Sequence, residues 1–232
     1  MKYNKKSDTS YSIGMFATIE LLNNHPEWVV GVYYSSKIKV NEKVNEVFDF
    51  CKKNAIPLLE RTKFVENIAG KENVFLLGEF KKTENKLKNG NHLVLVNPSD
   101  MGNMGTILRT ALGFGIKNIA VIKPAVDYFD PKVIRASQGA IFKLNVQPFD
   151  SFDDYTKMFN NKCYMFCLNG DTYLQDLKTK EEPFSLVFGN EATGLPEEII
   201  AQGTGVKIRQ TVDIDSFNLA ISVAMALYEF KK

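Results

Sequence analysis

From residue 91 onward the chain repeats one local pattern: a short apolar run, an abrupt polar turn with glycine in or near it, then a helical stretch. Residues 93–96, 118–122, 163–168, 185–188 and 206–208 read as strands, and 104–114, 131–138, 152–159, 196–202 and 216–230 as helices. Strands that are apolar along their whole length, rather than at alternate positions, are buried on both faces. Separated by helices, they specify a mostly parallel sheet covered on both sides. Pro131 and Pro196 suit first helical positions, and Gly115 suits a helix end. In such a sheet, ligands sit outside the carboxyl ends of the strands. The turn Asn97-Pro98-Ser99-Asp100-Met101-Gly102-Asn103, which follows the run Leu93-Val94-Leu95-Val96 and leads toward Arg109, is therefore the first place to look for a site. The helix is expected to carry Arg109 inward, and a buried cation requires a partner.

The preceding segment has a different rhythm and reads as a separate small α/β unit. Residues 13–22 are helical in character and 28–34 form a strand rich in β-branched and aromatic residues. Residues 42–53 make an amphipathic helix with Val44, Val47, Phe48 and Cys51 on one side, and 56–58 and 74–80 are short strands. A polar, lysine-rich stretch then marks a junction. The expected division is a first domain at 1–84, a linker at 85–90 and a second domain at 91–232.

Composition excludes several classes. With 44% hydrophobic residues the chain can bury a sizeable core. No apolar run approaches the roughly 20 residues that span a bilayer, and the basic start lacks the apolar stretch of a signal peptide. Cys51, Cys163 and Cys167 have neither disulfide nor zinc spacing. Cys163 and Cys167, on one strand face, read as core packing. His25 and His92 are isolated. A cytoplasmic protein with no membrane span and no metal is expected. The net charge of +2 divides into +4 over residues 1–90 and −2 over 91–232, which is consistent with the first domain meeting a polyanion.

Three motifs share the strand–turn–helix form: Asn97 to Gly115; Leu186-Val187-Phe188-Gly189-Asn190-Glu191-Ala192-Thr193-Gly194-Leu195-Pro196; and Ile208 through Ser216-Phe217-Asn218 into the last helix. Turns of this kind present backbone N–H groups to a polar ligand. In this order the three motifs resemble the SpoU (TrmH) family of RNA ribose 2′-O-methyltransferases, within the SPOUT superfamily. The first segment is similar, more loosely, to the family's ribosomal-protein-like substrate-binding domain through Ser12-Ile13-Gly14-Met15-Phe16, the following helix, the strand to Tyr34, and Ile56-Pro57.

The resemblance implies an α/β fold ending in a deep C-terminal trefoil knot. It implies S-adenosylmethionine (SAM) as methyl donor, a homodimer that completes the site, and structured RNA as substrate. Ribosomal RNA is favoured, with transfer RNA or a non-catalytic RNA-binding module as alternatives. It implies Asn103, Arg109, Glu191, Ser216 and Asn218 as catalytic residues. Leu168, Asn169, Gly170, Phe188, Gly189, Ile208, Phe217 and Asn218 would contact the cofactor. Arg135, Lys81 and Lys82 are the RNA-binding candidates, the lysines from their position in the basic stretch.

The residues themselves leave alternatives open. Arg109 either takes the ribose proton or clamps a phosphate. Asn103 and Ser216 each suit a plain helix N-cap as well as a site role. Glu191 could order Arg109, hold the loop through backbone N–H groups, or act as base. The last helix, apolar almost all round, suits a dimer interface or a core helix equally. Arg209 and Gln210, where many relatives carry Pro-Met, and Phe217 within a usual Ser-Leu-Asn, mark departures around the cofactor loop.

Overall fold

The computed structural model describes residues 3–70, 73–177 and 180–231. The chain forms two compact units. One comprises residues 1–83 with 127–143; the other comprises 84–126 with 144–232.

The first unit is built on a four-stranded mixed sheet in the order β1-β4-β2-β3. Its elements are β1 (Thr9–Ile13), α1 (Met15–Asn24), β2 (Val29–Tyr34), α2 (Glu42–Lys53), β3 (Leu58–Glu60), α3 (Thr62–Ala69) and β4 (Leu76–Lys81). Strand β1 occupies the approach to the helix expected at 13–22, which begins two residues later. α2 is capped by Asn41, whose side chain accepts from the Val44 amide at 3.0 Å. Its buried face, Val44, Val47 and Cys51, matches the reading at helical spacing. Helix α5 (Pro131–Ala136), capped by Asp130, packs against β1 within this unit. Gly139, after α5, lets the chain approach α1 closely. Its φ is +81°, and a Cβ there would lie 2.8 Å from the Glu20 Cβ and 3.0 Å from the Ala17 Cα. Lys143 adds an ion pair to Glu20 at 2.6 Å.

The second unit holds a seven-stranded sheet, β7-β6-β5-β10-β8-β11-β9, in which every paired neighbour is parallel. The strands are β5 (His92–Val96), β6 (Asn118–Ile122), β7 (Asn145–Phe149), β8 (Lys162–Phe166), β9 (Thr172–Tyr173), β10 (Phe184–Phe188) and β11 (Thr204–Lys207). Every residue of β5, β6 and β10 is buried, as expected of strands covered on both faces. Helices α4 (Met101–Gly113), α6 (Phe152–Met158), α7 (Glu197–Ile200) and α8 (Leu219–Lys231) complete the unit, and α4 packs against α8. Residues 84–90 belong to this unit. Leu87 is buried in its core, and the Lys88 amide donates to the Asn118 Oδ1 at 3.0 Å.

The topology sets the position of the site. From β5 the sheet grows one way through β6 and β7, while β10, on the other side of β5, is reached only after a return. The switch point is the β5/β10 pair, whose register aligns Phe188 with Leu95. The turns leaving these two strands are forced together although they lie some 90 residues apart in sequence.

Two of the boundary differences bear on the site. α4 begins at Met101 rather than 104, because Asp100 is its N-cap and accepts from the Asn103 amide at 2.7 Å. α8 begins at Leu219 rather than 216, because Asn218 caps it, its Oδ1 accepting from the amides of Ala220 at 2.9 Å and Ile221 at 3.4 Å. Neither Asn103 nor Ser216 is therefore a cap.

Candidate functional site

The site is organised by the Glu191 carboxylate, in the turn after β10. One oxygen accepts from the Ser99 hydroxyl at 2.7 Å and the Ser99 amide at 3.1 Å. The other accepts from the Asp100 amide at 3.2 Å and the Asn103 Nδ2 at 3.3 Å. Partial burial by itself would raise the Glu191 pKa, but the donors, led by the Ser99 hydroxyl, outweigh it and hold the carboxyl below its ordinary value. In this geometry the carboxylate bridges the β10 turn to the start of α4.

Asn103 continues the chain of contacts. While its Nδ2 donates to Glu191, its Oδ1 accepts from the Asn218 Nδ2 at 3.0 Å. Glu191, Asn103 and Asn218 thus form one hydrogen-bonded line joining all three motifs.

Asn190 carries comparable structural weight and was not singled out from the sequence. Its Nδ2 donates to the Asn97 carbonyl at 2.8 Å, tying together the exits of β10 and β5. Its Oδ1 accepts from the amides of Ala192 at 2.9 Å and Thr193 at 3.2 Å, and its backbone pairs with Gly194 in both directions. An Asx-type turn within Gly-Asn-Glu-Ala-Thr-Gly was the available signal. Gly189 makes the closure possible. A Cβ there would fall 2.1 Å from the Gly194 carbonyl carbon and 2.3 Å from the Leu195 nitrogen.

Beside this line lies a cleft of about 330 Å³, within the roughly 300–1,000 Å³ range of small-molecule sites. Leu168, Asn169, Phe188, Gly189, Ile208, Phe217 and Ser216 line it, as does Glu191. Phe166 and Phe188 stack at 4.3 Å beneath it. Gly170 and Asn218 are not among the lining residues. Gly170 instead abuts β11, where a Cβ would lie 2.7 Å from the Val206 nitrogen. Cys167 and Leu168 lie beyond the end of β8 rather than within it. Cys167 lines the cleft, and Leu168 is 66% exposed.

The departures at 209 and 210 have structural partners. The Gln210 Nε2 donates to the carbonyls of Asp215 at 3.0 Å and Ile214 at 3.3 Å, closing the loop that carries Ser216 and Phe217. Arg209 stacks on Tyr173 at 4.5 Å and pairs with Asp176 at 3.7 Å.

Arg109 is not brought to this line. It is exposed on α4, correcting the expectation that the helix turns it inward. Six positions at about 100° each rotate it roughly 120° away from Asn103. Arg135 is exposed in the first unit, as is Lys81. Lys82 is engaged within that unit by Asp127 at 3.6 Å and by the Tyr3 ring at 4.8 Å. Among the described residues, no cluster of His, Cys, Asp or Glu is arranged to hold a metal, and no helix is long and apolar enough to cross a membrane.

Comparison with known proteins bears on the second unit above all. Residues 90–228 match the SpoU rRNA Methylase family. A tRNA/rRNA methyltransferase of Synechocystis sp., described as uncharacterized, is 33% identical over 143 residues, 60% of this chain and 52% of that protein. A 23S rRNA (guanosine(2553)-2′-O)-methyltransferase of Bacillus subtilis is 26% identical over 152 residues, 64% of this chain and 61% of that protein. The chain therefore spans about half to three-fifths of the length of these two relatives. In fold, it superimposes on an AdoMet-bound rRNA methyltransferase from Sinorhizobium meliloti with a TM-score of 0.83 and 24% identity, covering 96% of this chain and 87% of that one.

Proposed function

Because the chain belongs to the SpoU rRNA Methylase family, we propose that it transfers a methyl group from SAM to a ribose 2′-hydroxyl of structured RNA, with ribosomal RNA the favoured substrate. The observation that carries this reading is the line Glu191–Asn103–Asn218, whose Glu191 end lines a nucleoside-sized cleft.

The cleft suits the cofactor. Its walls combine backbone turns and apolar side chains, Phe188, Ile208 and Phe217 among them, with the Glu191 and Glu197 carboxylates, so an adenine can be selected by shape and main-chain hydrogen bonds against the apolar part. SAM supplies a methyl already activated by its sulfonium. The protein's task is to align the ribose oxygen with that methyl and to help the hydroxyl proton leave.

Asn103 and Asn218 are positioned to hold the ribose, each fixed by the other. Glu191 maintains their geometry; a carboxylate occupied by several donors and held below its ordinary pKa is a poor proton acceptor. Arg109 acts on the substrate side. An arginine keeps its proton above about pH 12, so its role is to clamp an RNA phosphate bidentately beside the nucleophile.

In this reading the working unit is a homodimer with a knotted C-terminus, and Arg109 reaches the reaction in the assembled pair. Support comes from apolar side chains left exposed near the cleft: Val212 at 101% and Ile214 at 43% in the loop before α8, then Ile221 at 52% and Tyr228 at 64% on one face of it. Exposed apolar groups on one helix face and the loop leading into it suit an association surface.

The test is incubation with methyl-labelled SAM and separately purified ribosomal and transfer RNA, followed by mapping of the label. Label on a ribose of ribosomal RNA is expected. Label on a base sinks the ribose assignment, and label confined to transfer RNA moves the substrate.

A further inference from the structure

The first unit contains a second cleft that the methyl-transfer machinery does not use. Its volume is about 530 Å³, and it lies among the start of α1, the loop before α2, the start of β4 and the end of α5. Its chemistry differs from that of the cofactor cleft. Phe16, at the rim, is 64% exposed, a large aromatic left in water at the first turn of a helix whose other side is core. The Lys43 ammonium stands 5.2 Å from the Phe16 ring centroid. Lys39 and Arg135 line the same cleft, both exposed, and neither makes an ion pair among the described residues. Lys37 also lines it, its charge engaged by Glu66 at 2.7 Å. Gln138, two residues past α5, is exposed, in a segment held by the close approach of Gly139 to α1.

We propose that this cleft binds an unpaired nucleotide of the RNA substrate, its base stacked on Phe16 and its flanking phosphates held by Lys39 and Arg135. The proposal rests on the RNA-substrate reading above and specifies how that RNA is gripped. An exposed aromatic face beside unpaired cations is the arrangement that recognises single-stranded nucleic acid. Every base offers a π-face to stack, and the cations track the backbone. A duplex keeps its bases inside its own stack and offers Phe16 nothing. Gln138 supplies a donor and an acceptor for a base edge. A peptide partner would also accept an aromatic anchor, but two unpaired cations favour a phosphodiester chain.

The experiment uses the full chain and two fluorescent probes: a ten-nucleotide single-stranded RNA of mixed sequence, and the same sequence as a duplex. Anisotropy titrations are run across a salt series. The single strand should bind at least about tenfold more tightly than the duplex. Phe16→Ala should weaken single-strand binding by about 5- to 100-fold with an unchanged salt slope, and Phe16→Trp should restore it. Lys39→Ala and Arg135→Ala should each lower the salt slope by about 0.7, the share of one single-strand phosphate. Equal affinity for the two probes, or indifference to Phe16→Ala in a variant of unchanged Tm, overturns the proposal. SAM binding by calorimetry on the same preparations separates the two readings: a chain that binds SAM but not the single strand refutes this cleft alone, and one that does not bind SAM refutes the methyltransferase reading.

Discussion

Replacing Glu191 by glutamine removes one charge and almost no volume, so its effect reports on hydrogen bonding rather than packing. In the native turn one carboxylate oxygen meets two donors at 2.7 and 3.1 Å and a longer one, the Asn190 Nδ2, at 3.5 Å, and the other meets two at 3.2 and 3.3 Å. A glutamine can satisfy only one side, whichever way it flips. Its NH2 then faces two donors, and two hydrogen bonds to a charged acceptor are lost. Such bonds are worth roughly 1.5–3 kcal/mol each when buried. Glu191 is only partly buried, and halving the sum for solvent screening leaves about 2 kcal/mol. For a chain of this size that corresponds to a Tm lower by about 4–8 °C.

The loss should depend on pH in a defined direction. The folded-state pKa of Glu191 lies below the ordinary value of 4.5. Its stabilisation is therefore present above pH 4.5 and disappears as pH falls through the lower folded value. Scanning calorimetry of native chain and E191Q from pH 3 to 8 should show a Tm gap that is constant near neutrality and narrows below about pH 4.5. A Tm within about 1 °C of native at pH 7, together with intact SAM binding and lost turnover, would refute the fastening role and make Glu191 the base.

Arg109→Lys should lower kcat by at least about 100-fold while leaving SAM affinity by calorimetry within about threefold, because lysine keeps the charge and loses the bidentate fork; an equal loss of SAM affinity would place Arg109 on the cofactor instead. Gly189→Ala should destabilise the second unit by about 3 kcal/mol, the upper end of the cost of overpacking, and abolish SAM binding, since the clash is with backbone at 2.1–2.3 Å and no rotamer relieves it. Asn218→Ala should remove the α8 cap at a cost of about 1 kcal/mol and also slow methyl transfer; Asn218→Asp, which still caps, should recover the Tm but not the rate. His92 is buried, and burial pushes its pKa down despite the Lys88 carbonyl at 2.8 Å. Stability should therefore fall as pH drops below about 6.5, where the unfolded chain gains a proton that the fold resists, and His92→Gln should flatten this part of the Tm profile.

Elements whose signal is local were legible from the sequence. β5, β6 and β10 are apolar end to end, and no neighbour is needed to see that. Elements missed or misplaced had a competing local signal. β7 contains Pro148, which argues against a strand unless it lies at an edge, and β7 is the edge strand of its sheet. β1 shares Ile13 with a stretch that reads as helix. Asn103 and Ser216 are both good capping residues, but Asp100 and Asn218 stand at the actual helix starts and take the first amides.

The site divides along the same line. Its residue types were readable, and so was the use of Glu191 to hold a loop, as one option among three. What brings Glu191 to the amides of Ser99 and Asp100 is the adjacency of β5 and β10, a pairing between segments some 90 residues apart that no local pattern encodes. Once those strands are neighbours, Glu191 reaches the amides leading into α4, and Asn103, in the first turn of that helix, meets Asn218 just before α8. The inward reading of Arg109 failed for the complementary reason. It assumed that a charged residue beside a site must point into it within one chain. The helical phase set by the buried residues Met104, Ile107, Leu108 and Ala111 leaves Arg109 facing solvent. An arginine there is held out by the core packing of its own helix, so the proposed role for Arg109 requires the RNA phosphate or a second subunit to come to it.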